Sequence, residues 1–276
     1  MAGHHPQHGA EHSRPLTGLT LFVCGVDGSP ESAEAVREAA LLAPPAGGSM
    51  MLVAAVMPGF VEGLATVVPG AGTTDPEQRA RIDAAWHLDR AREIVGDRVP
   101  TVVSVHSGHP ATVLEAEARR IQADAIAVGS HGNGRVSGVL LGSVATRVIH
   151  GAECSVLVAR ADPNQPFPGS IAVGVDGSEA SRRALAIADG LAVRLDVPLR
   201  AFRLAGGHDT SPLPEDLGFE VEEVHQHVTP ADALCARVTN VDLLVVGSRG
   251  LRGVHALGSV SEAVAHHSPA SVLIVR

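Results

Sequence analysis

VCGVDGS at residues 23–29 returns as VGVDGS at residues 173–178. Two further matches follow in the same order: IAVGSHG at 126–132 with LVVGSRG at 244–250, and SVLVAR at 155–160 with SVLIVR at 271–276. Three matched landmarks in one order mean a duplicated domain. Each is a short apolar run, the pattern of a strand buried on both faces that leads into a turn. Between the copies lies ADPNQPFPG, residues 161–169, whose three prolines suit a stiff extended linker. The expected units are therefore a His-rich tail at 1–17, a first domain at 18–160, the linker, and a second domain at 170–276.

Working outward from the first landmark, the pattern predicts strands near 19–26, 51–57, 99–105, 125–129 and 155–160. Helices are predicted near 30–43, 75–95, 110–122 and 143–150. Strand and helix alternate, which calls for an α/β fold: a parallel sheet with helices on both faces, five strands in each copy. Ser29 followed by Pro30 reads as an N-cap with proline at the first helical position, and Ser178 repeats the cap. The second copy is shorter. Asp27 to Gly129 spans 102 residues and Asp176 to Gly247 spans 71, a difference of 31. Strand two at 198–205 is followed by GGHDTSPLPEDLG and then strand three near 219–225, which leaves no room for the long second helix.

Composition limits the partners. The 276 residues carry 30 acidic groups against 21 basic ones, all arginine, and only 2% aromatics, so nucleic acid is not expected. The longest charge-free stretch, 39–61, is broken by Pro44, Pro45, Gly47, Gly48, Pro58 and Gly59 and cannot span a bilayer as a helix. MAGHHPQHGAEHSRP at the N-terminus lacks the apolar core and cleavage site of a secretory signal. Cys24, Cys154 and Cys235 form neither a disulfide framework nor a thiolate metal site. A cytoplasmic protein is expected.

GSHGNGRVSGVLLGS, residues 129–143, follows a strand and precedes a helix, and ligands in such sheets bind beyond the carboxyl ends of strands. Gly129, Gly132 and Gly142 allow positive φ and close backbone approach, so successive N–H groups can converge on an anion. Ser143, where the helix should begin, can cap it and offer its hydroxyl to a phosphate. The loop is not a Walker A motif, which needs a lysine, and GVDGS after the first strand is not GxGxxG. Asp27, at the end of a buried strand, can accept hydrogen bonds from ribose hydroxyls or cap the next helix instead.

The form GxxG, nine residues, then GS, together with the Asp closing strand one and the terminal strand CSVLVAR, resembles the universal stress protein family. The resemblance runs through both repeats. It implies a Rossmann-like sheet of the adenine nucleotide alpha hydrolase-like class, with ATP or a related adenine nucleotide along its carboxyl edge. Gly129, Gly132, Gly142, Ser143 and the backbone N–H of Val144 would then cradle the phosphates. Asp27 would meet the ribose or adenine end, and backbone near Ala55 the adenine edge. Mg²⁺ would arrive with the nucleotide, held by phosphate oxygens and water.

The second copy departs at its loop: after Gly247 and Gly250 come seven residues rather than nine before Gly258 and Ser259. Each residue spans roughly 3.3–3.6 Å when extended, so the N–H groups would shift by several ångströms. Asp176, Gly247, Arg249, Gly250, Gly258 and Ser259 are the corresponding candidates, with Arg249 and Arg252 able to compensate. His131 stands where the second copy has Arg249 and could touch phosphate or face solvent. His4, His5, His8 and His12 lie in the tail, and His106, His109, His225 and His227 lie around the third strands; none is assigned a metal.

The expected role is a nucleotide-dependent regulatory module in stress response. The alternatives are a slow ATPase or a phosphoryl or nucleotidyl transferase on the same scaffold, and an interaction module without nucleotide. An open parallel sheet leaves an apolar edge in SVLVAR and in SVLIVR. Relatives look like dimers joined through that strand, so the two domains are expected to pair with each other, and a homodimer of chains stays open.

Overall fold

The computed structural model describes residues 18–57, 75–132, 141–160, 166–204, 220–224, 229–248 and 258–276. The first half runs β1 (Leu21–Gly25), α1 (Pro30–Leu42), β2 (Ser49–Val56), α2 (Pro76–Val95), β3 (Thr101–Ser107), α3 (Pro110–Ile121), β4 (Ala125–Gly129), α4 (Ser143–Gly151) and β5 (Ser155–Ala159). The second half runs β6 (Ile171–Val175), α5 (Glu179–Leu195), β7 (Leu199–Leu204), β8 (Glu220–Val224), α6 (Pro230–Arg237), β9 (Leu243–Gly247), α7 (Ser259–His267) and β10 (Ser271–Val275). No counterpart of α2 appears among the described residues of the second half. Residues 205–219, between β7 and β8, lie outside them.

Each half is a five-stranded parallel sheet, as expected, and the two join edge to edge into one ten-stranded sheet. The strand order is β3-β2-β1-β4-β5-β10-β9-β6-β7-β8. At its centre β5 and β10 run antiparallel, with Leu157 opposite Leu273. An apolar edge strand exposes unpaired N–H and C=O groups, and here each edge satisfies the other's.

Strand side chains alternate between two cores. Phe22, Cys24, Leu157 and Leu273 pack with α1, α2 and α5 on one face. Val23, Ile126, Val156 and Ile274 pack with α3, α4, α6 and α7 on the other. Period two along a strand sends neighbours to opposite faces, so a continuous apolar run is what a doubly covered sheet requires. The first turn of α1 is fixed by Ser29, whose Oγ accepts the Ser32 N–H at 3.1 Å. Ser178 does the same for Ser181 at 3.2 Å. Below the strands, Asp124 Oδ2 accepts the N–H groups of Thr20 and Leu21 and the Thr20 hydroxyl, tying the entry of β1 to that of β4. Asp242 ties Gly169 and Ser170 in the same way.

Candidate functional site

The carboxyl ends of β1, β2 and β4 meet above the sheet. After β1 the chain turns at Gly28, whose φ of +80° falls in the region glycine tolerates without strain. The turn is closed by Asp27, whose Oδ1 accepts the Ser29 N–H at 2.9 Å and its hydroxyl at 2.6 Å. Helix α1 is capped by Ser29 and not by Asp27. The other carboxylate oxygen faces the glycine loop: a Cβ placed on Gly132 would lie 2.5 Å from Asp27 Oδ2.

At the end of β4, Gly129 lets the start of α1 come close, since a Cβ there would lie 2.6 Å from the carbonyl carbon of Glu31. Gly142 closes the loop by donating to the Ser130 carbonyl at 2.7 Å. The expectation that Ser143 caps α4 is corrected: Gly142 occupies the cap position, extended at φ −69° and ψ 157°, and Ser143 is the first helical residue. The first intrahelical bond runs from Thr146 N–H to the Gly142 carbonyl. The cap residue has no side chain to accept from the first turn, so the N–H groups of Ser143, Val144 and Ala145 have no intrahelical acceptor. A helix end of this kind presents a partial positive charge and converging donors to an anion.

These elements enclose a cavity of about 550 Å³. Asp27, Ala55, Gly129, Gly132, Gly142, Ser143 and Val144 all line it, and so does His131. Its opposite end is apolar, built by Val53 and Met57 at the end of β2 and by Pro110 and Leu114 of α3. Those four residues were not singled out in the sequence. The signal was there in part: α3 follows strand three on the same edge, and Gly25, which lies 3.0 Å from Leu114 Cδ1 when a Cβ is added, belongs to the repeated VCGVDGS landmark.

The second half repeats the arrangement on a smaller scale. Gly177 has φ +82°, and Asp176 Oδ1 accepts the Ser178 N–H at 3.0 Å. Gly258 caps α7 without a side chain, as Gly142 caps α4. Asp176, Gly247, Gly258 and Ser259 line a cavity of about 240 Å³. Arg249, Gly250 and Arg252 lie outside the described residues.

Among the described residues no three His, Cys, Asp or Glu side chains gather as a metal site. His106 Nε2 lies 2.7 Å from the Ser104 hydroxyl and 3.7 Å from Glu117. His109 stands at the N-cap of α3. The tail histidines, His225 and His227 are outside the described residues. Burial pushes the Cys24 and Cys235 thiols up and raises Cys154 to about 11. Among the described residues no helix is long and apolar enough to cross a membrane.

The model of the universal stress protein family matches residues 21–160 and 208–276. Universal stress protein Rv2623 of Mycobacterium tuberculosis is 30% identical, over 92% of this chain and 96% of its own. Universal stress protein Rv1996 of the same organism is 28% identical, over 96% and 97%. Among solved structures, a universal stress protein from Archaeoglobus fulgidus superposes with a TM-score of 0.72 at 20% identity, covering 95% of this chain and 98% of that one. This likeness establishes the fold.

Proposed function

This chain belongs to the universal stress protein family, and from that premise we propose that its first half binds ATP or a related adenine nucleotide and acts as a nucleotide-dependent regulatory module in stress response. The supporting observation is the division of the 550 Å³ cavity into chemically different ends. The uncapped start of α4, with Gly129, Gly132 and Gly142, meets the phosphates; Asp27 Oδ2 receives the ribose hydroxyls; Val53, Ala55, Met57 and Leu114 form the slot for the flat base. A pocket of this size with a mostly apolar lining and a few convergent polar groups suits a nucleotide-sized ligand. Phosphate is held by backbone N–H groups and the helix dipole, which is how a chain without lysine can bind it.

Mg²⁺ enters with the nucleotide and is held by phosphate oxygens and water. Asp27 is the one carboxylate and His131 the one imidazole among the described lining residues, a set that favours retention of the nucleotide over turnover. In this reading residues 161–169 link two domains that pair within one chain, and the protein works in the cytoplasm. Isothermal titration with Mg-ATP tests the proposal: saturable binding that is lost in the double variant Gly132→Ala, Gly142→Ala supports it, and no uptake by the wild-type protein overturns it.

A further inference from the structure

The two halves differ most at the apolar ends of their cavities. Gly25 of β1 pairs with Val53 of β2, whereas Gly174 of β6 pairs with Phe202 of β7. Gly25 and Gly174 are equivalent in the repeat and in their surroundings: an added Cβ would meet Leu114 Cδ1 at 3.0 Å in one and Leu234 Cδ1 at 3.1 Å in the other. Phe202 therefore stands where the first half has Val53, on the same face of the sheet. Two residues further on, Leu204 takes the register position of Ala55.

The phenyl ring is fully buried and fixed from outside. The guanidinium carbon of Arg200, on the same face of β7, lies 5.1 Å from the ring centroid. Arg200 is tied to Glu222 at 3.3 Å, and Glu222 to Arg237 of α6 at 2.8 Å. A fully buried aromatic side chain in a close-packed interior swings aside only at a cost. The two cavities differ in the same direction. Val53, Ala55 and Met57 of the first half border about 550 Å³. The second cavity has about 240 Å³, with no residue of β7 among its described lining.

We propose that Phe202 is a specificity-determining plug that closes the base end of the second cavity, so that the chain takes up one nucleotide, in its first half. The proposal rests on the nucleotide reading of the first cavity. Phe202→Val removes the plug and Val53→Phe installs one in the first half, where overpacking should weaken binding about tenfold or more.

Equilibrium titration of the full chain with Mg-ATP decides it. The expected result is one equivalent for the wild type, a second and weaker equivalent for Phe202→Val, and loss of the single site in Val53→Phe. Two equivalents for the wild type, or one for both the wild type and Phe202→Val, overturn the plug and leave the nucleotide reading standing. No uptake by the wild type with one equivalent for Phe202→Val upholds the plug and overturns the first-half assignment; no uptake by either overturns both. Should Phe202→Val fail to fold, as judged by its circular dichroism melt, Val53→Phe decides alone, and undiminished binding there overturns the proposal.

Discussion

Arg276 of β10's end donates through its guanidinium to the carbonyl of Ile149 in α4, at 2.6 Å, across the junction of the two halves. Arg160, the last residue of SVLVAR, reaches in the same way to the carbonyl of Ala265 in α7. The backbone N–H groups of the same two arginines donate to Ser271 and Ser155 of the opposite copy. Each repeat thus ends in an arginine that fastens the last turn of the other repeat's helix, the helix whose first turn borders a cavity. Burial lowers the pKa of both guanidinium groups, that of Arg160 to about 10, and both stay charged at neutral pH. Arg276→Ala leaves the Ile149 carbonyl without its donor, which should cost about 1–3 kcal/mol in a urea melt.

Two glycines of the same loop should fail differently. Alanine at Gly129 would press its Cβ to 2.6 Å from backbone of α1, which has no side-chain freedom to give way. Gly129→Ala should lower stability by about 1–3 kcal/mol, read as a fall in melting temperature. At Gly132 the obstacle is Asp27 Oδ2, the end of a side chain that can move. Gly132→Ala should leave stability within about 0.5 kcal/mol and weaken Mg-ATP binding instead.

Acid stability should depend on Glu117. Its hydrogen bond with Arg120, at 2.6 Å, and nearby His106 hold its carboxyl below the ordinary value of 4.5. A carboxyl depressed by folding adds stability above its unfolded pKa and loses it as pH falls through the folded one. Glu117→Gln should therefore flatten the decline of the urea midpoint below pH of about 4.5, with the wild type more stable at neutral pH.

The three thiols should be silent in the native state. Burial raises all of them, and a thiol with a raised pKa carries little thiolate at neutral pH. A chromogenic disulfide reagent at pH near 7.5 should show slow reaction with the folded protein and rapid release of three equivalents once it is denatured. A fast native phase would locate an exposed cysteine and contradict the packing described.

Much of the fold was legible because its signals are local. Ser29 and Ser178 cap the helices that follow them, and strand four at 125–129 stands as read. Boundaries moved where long-range bonds extend a strand. β2 begins at Ser49 because its N–H finds the Thr20 carbonyl, and β3 runs on to Ser107, beyond which Gly108 N–H bonds Val56. α4 starts at Ser143, as read, but its cap is Gly142 rather than Ser143, since serine and glycine both accept the cap conformation and only the bond from Thr146 to Gly142 distinguishes them.

The sequence by itself determined the alternation of strand and helix, the helix caps at Ser29 and Ser178, and the turn glycines. Each of these is written in neighbours a few positions apart, where backbone conformation and hydrophobic period act directly. Tertiary structure alone decided the register in which β5 meets β10, with Leu157 opposite Leu273, that Arg160 and Arg276 cross the junction, and that Phe202 takes the register position of Val53. Those outcomes depend on which strands pair and in what register, and register is set by packing between segments far apart in the chain, which no local pattern encodes.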